Sequence, residues 1–519
     1  HALIPGVGFL VAIALEGLCY GPLYAAFFHV SVDTLGQTTT GQPMTVWLLL
    51  AIGAAGSGLM FLRMNWAIQG ESSPVAPIFW ALCAASFAPT TVLILEFMWN
   101  PGPVLGAYPW ALAVIVVAAF MVLLASRTAA GPEMSRPLRT GLFAVGALTL
   151  ITLSFFLILT KSALTVALAV MVLGTALLDR RYRLPPLTLF IQVAVAIITY
   201  RLVIWPGFDW ALHFDYGTGH YAVSYLECAF AFVASMGLLA ASWWLAQGQN
   251  PKTALVLESA CWSILGVFLS ITLMRAAPPT DALRHWVMGP MAATWAALAL
   301  TQLYRMQAGG RLLTILRTVL AGIYALLALA AMAWLLLAAN PLTEYNEQVA
   351  GPPIFDSLAL AFLPLAVVFA VGAWKIRHFG KIPRIALIIA ASAFSALYVG
   401  SEIRRLWRGR DLTVPGFTDA ELYSYTLAML VASVALLFLA FTRRSDLLRK
   451  VAMVGVALTV AKVFLIDMSG LSGLIRVFSF MGLGLSLVAL AWLNRKMTAQ
   501  WERKAPAGDP PAQPSKDVE

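Results

Sequence analysis

The sequence predicts an all-α, polytopic integral membrane helix bundle of about 16 transmembrane helices, and three observations predict it. Hydrophobic residues make up 61% of the 519 and charged residues only 11%, against about 45–50% and about 25% in soluble domains. At a mean hydropathy of +0.83 the polar side chains are too few to cover the exterior, so most of it must face hydrocarbon. The apolar residues also run continuously instead of alternating with period two, which selects helices over a barrel. Soluble, fibrous, disordered and disulfide-framework classes fall away.

Runs of spanning length lie at 7–28, 44–62, 78–98, 108–125, 141–159 and 163–178, then at 187–205, 221–246, 254–274, 286–304 and 312–338. Five more lie at 354–374, 382–399, 421–441, 447–466 and 474–493. Residues 1–496 thus read as one multi-pass bundle, and 497–519, rich in Pro and Ala, as a disordered cytoplasmic tail. The chain starts at His1 with no basic segment before the first apolar run. A chain that begins partway through a longer protein, with no recognisable signal peptide, is expected from that start.

Every second connection is basic: Arg63, then Arg127, Arg136 and Arg139, then Arg180, Arg181 and Arg183, then Lys252, then Arg305 and Arg311. Lys375, Arg377 and Lys381 follow, then Arg443, Arg444, Arg449 and Lys450, then Arg495 and Lys496. The connections between them, at 28–43, 99–107, 206–220 and 339–353, hold no Lys or Arg. The positive-inside rule therefore places the basic loops and both termini in the cytoplasm. The net charge of +10 is read as this orientation signal and not as a nucleic-acid surface.

Cys19, Cys83, Cys228 and Cys261 lie inside apolar runs without CxxC or Cys/His spacing, so neither a disulfide framework nor a metal site is expected. No haem, flavin or other cofactor is implied, because the 17 Trp collect at span ends, as Trp99, Trp205, Trp286 and Trp407 do, in the manner of interfacial belts. His29, His213, His220 and His285 are scattered in outer loops without a nucleophile pattern, which favours surface or interfacial roles. Glu16, Glu96, Glu227 and Glu258 stand in apolar helices as candidates for a proton path or for paired structural groups.

Ten of the 34 Lys and Arg break the orientation pattern: Lys161, Arg201, Arg275, Arg284, Arg404, Arg405, Arg408, Arg410, Lys462 and Arg476. Anchoring by snorkelling explains most of them. In the C-terminal third, acidic and phenolic partners accompany the charges. Tyr398, Glu402 and Arg405 recur at i, i+4 and i+7 on one helix face, and Arg404 with Arg408 forms a second stripe. Glu421 and Tyr425, with Tyr423 beside them, open the next helix, and Lys462, Asp467 and Arg476 flank a later turn. These residues read either as structural ion pairs or as an outward-facing site in which arginine forks hold phosphate or carboxylate.

At these positions the sequence resembles domain-of-unknown-function family 2339, large bacterial predicted membrane proteins. The segment from Lys462 through Asp467 and Arg476 to Gly484 resembles the family's closing signature, and Glu402-Ile-Arg404-Arg405 and Glu421-Leu-Tyr423-Ser-Tyr425 resemble two further blocks. Asn340-Pro341 and Arg275 resemble looser ones. The likeness is specific over 386–496, and it implies a multi-helix inner-membrane protein while supplying no reaction, substrate or cofactor.

The function expected first is binding or translocation of an anionic envelope molecule, lipid-linked, phosphorylated or glycan-linked, through a basic site on the periplasmic side. Its substrate-binding residues would be Glu402, Arg404, Arg405, Glu421, Tyr423, Tyr425, Lys462, Asp467 and Arg476. The bilayer is the one partner the composition demands; no nucleic acid is expected. A membrane-embedded transferase using a lipid-phosphate donor, with Asp33 or Glu421 as base, is the second expectation. A structural or assembly protein whose charges only lock helices together is the third.

Overall fold

The computed structural model describes residues 3–20, 43–70, 75–131, 133, 135–159, 161–215, 217, 219–248, 250–278, 281–306, 311–376, 380–443 and 446–467, and eight single positions between 477 and 495. Arg476, Asp33, His29, the 497–519 tail and, apart from those single positions, the 474–493 span lie outside the described residues, as do the side chains of Asp467, Cys19 and Lys161.

The described chain is all-α apart from one two-stranded hairpin. In order it runs α1 (Leu3–Tyr20), α2 (Pro43–Gly70), α3 (Val75–Ile94), α4 (Ala107–Ala129), α5 (Arg136–Ile158), α6 (Lys161–Tyr182) and α7 (Pro185–Val203). The antiparallel strands β1 (Phe214–Asp215) and β2 (His220–Tyr221) precede α8 (Tyr225–Ala246), α9 (Pro251–Ala276), α10 (His285–Arg305) and α11 (Arg311–Leu337). The last group is α12 (Ser357–Lys375), α13 (Lys381–Arg408), α14 (Asp419–Arg443) and α15 (Asp446–Lys462). Single turns of π-helix, Leu95–Trp99 and Val463–Asp467, extend α3 and α15.

Twelve of these helices are long and apolar enough to cross a membrane: α2 to α9 and α11 to α14. They coincide with twelve of the expected spans. Three other expected spans meet helices outside these twelve: α1, described over Leu3–Tyr20, α15, of 17 residues, and α10, which has 21 residues but begins at His285 and ends at Arg305. In hydrocarbon a helix is the open-chain solution that pairs its own backbone, which is why the long apolar runs among the described residues are helices. Polar side chains inside the spans turn back on the preceding turn, as Thr91 does to the Phe87 carbonyl at 2.9 Å and Ser154 to Leu150 at 3.0 Å.

The chain divides into two units, residues 1–282 with 297–326, and residues 283–296 with 327–519. In the first, α2 to α5 share a core that buries Met64, Leu95, Trp110, Met121 and Phe143 completely. Buried polar ends find partners there: Trp99 Nε1 donates to the Ile13 carbonyl at 2.9 Å and Trp110 Nε1 to Glu96 Oε2 at 2.8 Å. Glu258 is paired with Arg305, and Glu227 accepts from Ser162 at 2.9 Å, so these three carboxylates act as anchored helix partners in the structure.

In the second unit α12 packs on α13, α13 on α14 and α14 on α15. The Phe369 and Phe394 rings stack at 5.9 Å between α12 and α13. Gly289 of α10 lies directly against the Ala361 backbone of α12, where any Cβ would overlap it, so this crossing requires glycine. Only Phe394 and Ser401 of α13 are buried; the other residues of the helix are half-buried or exposed.

Candidate functional site

The site lies in the second unit, where α10 and α12 begin, α13 ends, α14 begins and α15 ends. The sequence stops α13 with Gly409 in the left-handed region (φ 78°) and starts α12 with the N-cap Asp356, whose Oδ1 accepts from Ala359 N at 2.8 Å. Two polar connections, 338–356 and 409–418, thereby come together, joined by the Val349 N–H donating to the Arg410 carbonyl at 3.0 Å.

The Tyr398/Glu402/Arg405 stripe grips the first connection. Arg405 pairs through Nη1 with the fully buried Asp356 carboxylate and donates to the Pro352 carbonyl at 3.3 Å, while Nη2 donates to the Gly351 carbonyl at 2.6 Å. Glu402 stands 3.8 Å from Arg405 and accepts the Ile354 N–H at 2.6 Å, and the Tyr398 hydroxyl donates to the Ile354 carbonyl at 2.7 Å. Ile354 is thus held on both sides in the left-handed region (φ 73°), a conformation that costs a β-branched residue about 1–3 kcal/mol.

The second stripe grips the other connection. Arg404 donates from Nε to the Leu412 carbonyl (2.5 Å), from Nη2 to Val414 (2.7 Å) and from Nη1 to Glu421 (3.1 Å), and lies over the Phe417 ring. Arg408 Nε is 3.3 Å from the other oxygen of Glu421, a carboxylate with no exposure. Tyr425 OH lies 3.3 Å from Glu421 and from the Gly400 carbonyl. Lys462 reaches the Leu422 carbonyl at 3.0 Å and Thr426 Oγ1 at 2.6 Å. In the loop, the hydroxyl and N–H of Thr413 hold the Asp411 carboxyl below its ordinary pKa.

A third arrangement joins three helix ends. His285 is fully buried, with Nδ1 2.5 Å from Glu347 Oε2 and Nε2 2.8 Å from Ser357 Oγ. Ser357 Oγ also accepts the Ala350 N–H at 3.1 Å, and the Ser357 N–H donates back to the Ala350 carbonyl at 2.9 Å. The tautomer that carries its proton on Nδ1, toward Glu347, would present Nε2 as acceptor to the Ser357 hydroxyl. Beside it opens a groove of about 840 Å³ lined along α12 by Leu360, Leu363, Pro364 and Val367, with Trp286 opposite. Its polar end is formed by Gly351, Asp356 and Ser357.

The expected site residues are therefore sorted, not pooled. Arg404, Glu421 and Tyr425 meet directly, with Lys462 of α15 bonded to the neighbouring Leu422 and Thr426 of α14, whereas Glu402 and Arg405 work on a different face of α13. Tyr423 is exposed and apart from both. The partner that matters most to Arg405 is Asp356, which the helical spacing did not reveal, and His285 is buried where an interfacial position was expected. A sequence signal for Asp356 exists in its place as an Asx cap before an apolar run, but nothing in the sequence links Ser357 to a histidine 72 residues away. Among the described residues no group of three His, Cys, Asp or Glu side chains is placed to hold a metal.

Neither a curated protein nor a solved structure matches the chain. Twelve helices long and apolar enough to cross a membrane agree with the family comparison: residues 5–497 match the family described as predicted membrane protein, DUF2339, and the chain belongs to that family.

Proposed function

We propose that this membrane protein binds a lipid-like envelope molecule in the lateral groove along α12, with the tail against Leu360, Leu363 and Val367 and the headgroup at the Gly351–Ser357 turn. The observation that carries this reading is the groove itself, apolar along one helix and polar at one end, as an amphiphile requires. In the same reading the chain sits in a bacterial inner membrane with about 16 spans and cytoplasmic termini. The polar end of the groove then faces outward. A glycan-bearing headgroup is the class this end suits, because Trp286 offers a ring to a sugar face and the turn offers peptide groups.

The arginines serve this function by holding walls. Each described hydrogen bond of Arg404 and Arg405 ends on a carbonyl or carboxylate of the protein. The same saturation favours a second reading, in which the charges lock the helices together and no ligand is held. Native mass spectrometry of gently solubilised protein separates the two. Leu363→Trp and Val367→Trp, which fill the groove from its rim, should strip co-purifying lipid that the unaltered protein retains. Equal lipid occupancy in all three proteins would leave the structural reading in place.

A further inference from the structure

We propose that Ser357 is the nucleophile of an acyl-transfer site, with His285 as its general base and Glu347 as the positioning residue, acting on a long-chain acyl ester lying in the α12 groove. The inference rests on the groove reading above and adds chemistry to it. Three observations carry it. The hydroxyl, imidazole and carboxylate are in line at 2.8 and 2.5 Å, the order in which a serine, its base and the orienting acid must stand. His285 has no exposure and Glu347 little, so the relay works away from water, while Ser357 borders the groove.

The third observation is the place of Ser357 in the first turn of α12, a 19-residue helix whose amide end is positive. The N–H groups of Ser357, Ala359 and Leu360 are used by Ala350, Asp356 Oδ1 and the Asp356 carbonyl, so an oxyanion at Ser357 would be met by the positive end of the helix as a whole and not by one of these N–H groups. Asp356 beside it would repel that oxyanion, and Arg405 neutralises Asp356.

In the first step Ser357 Oγ bonds to the ester carbonyl carbon and its proton passes to His285 Nε2. As the tetrahedral oxyanion collapses, the carbon–oxygen bond to the alcohol breaks, and His285 returns the proton to the departing alkoxide. An acyl-serine and a free alcohol result. A water or acceptor hydroxyl then attacks the acyl-serine, its proton travels through His285 back to Ser357 Oγ, and the acid or a new ester leaves.

The test is labelling of the purified full chain with alkyl fluorophosphonates of long and short chain, followed by mass spectrometric location of the adduct. Ser357 should be modified, the long-chain probe should react at least tenfold faster, and Leu363→Trp should remove that preference. His285→Gln should slow labelling about a hundredfold or more. Glu347→Gln should lower the maximal labelling rate at least tenfold while the probe concentration for half-maximal rate and the thermal midpoint stay unchanged, a split that a purely structural carboxylate would not produce. No Ser357 adduct on the unaltered protein, or an adduct formed equally fast in His285→Gln, overturns the acyl-transfer site. If lipid still co-purifies in that case, the groove reading survives by itself; if the serine reacts without chain-length preference and no lipid is retained, the groove reading is the one that falls.

Discussion

Arg405 and Asp356 form an ion pair with side-chain exposures of 10% and 0%, and a pair this buried is governed by desolvation. Removing one member leaves the other charged, unpaired and out of water, which costs about 3–5 kcal/mol. Arg405→Ala should therefore lower the melting temperature in detergent sharply. Adding Asp356→Asn should recover much of the loss, since Asn carries no charge and still caps α12 through its side-chain oxygen. Adding Glu402→Ala instead should recover little, because Glu402 is 3.8 Å from Arg405 and its nearer partner is the Ile354 N–H. Thermal melts of the three proteins decide between Asp356 and Glu402 as the partner. The stripe on α13 was legible in the sequence because i, i+4 and i+7 spacing fixes a helix face. Its partner was not, since the two residues are 49 apart and meet only after α12 and α13 have packed.

At the scale of elements, the turn from Gly351 to Asp356 is where helix ends are joined at a cost. Ile354 is 62% exposed and held at φ 73°, so its side chain contributes little packing against a real backbone penalty. Ile354→Gly keeps the two backbone hydrogen bonds, from its N–H to Glu402 and to its carbonyl from Tyr398, and removes the clash of Cβ, though glycine adds unfolded-state entropy. A stabilisation of about 1 kcal/mol is expected from a penalty of about 1–3 kcal/mol less that entropy term. A fall in the melting temperature of Ile354→Gly would mean that the side chain carries the turn. Helices were legible for a different reason: in lipid an unpaired peptide group costs several kcal/mol, so a long apolar run has essentially one outcome. Turns escape that constraint, and neither the left-handed Ile354 nor the burial of His285 at the head of α10 follows from local pattern.

For the whole molecule, hydropathy and basic loops carry the topology, and α10 is the element on which it depends. It is 21 residues long, about 31 Å at 1.5 Å per residue, enough to cross, yet more polar than the twelve spans. The charge series requires it to cross, since Arg305 and Arg311 must lie opposite the connection at 338–356. Hydrogen bonds within the second unit require the start of α10, the 338–356 connection and the 409–418 connection to share one side, through His285 with Glu347 and Val349 with Arg410. Single cysteines introduced at Leu283, Thr413 and Ser445, after replacement of the four natural ones, test both demands with a membrane-impermeant maleimide on intact cells. Leu283→Cys and Thr413→Cys should react from outside and Ser445→Cys only after permeabilisation. Reaction of Leu283→Cys and Thr413→Cys from opposite sides would break the hydrogen-bonded end of the second unit and, with it, the groove and the Ser357 relay. Reaction of both only after permeabilisation would keep the site intact and turn it to the cytoplasm, where the positive-inside rule is the premise that fails.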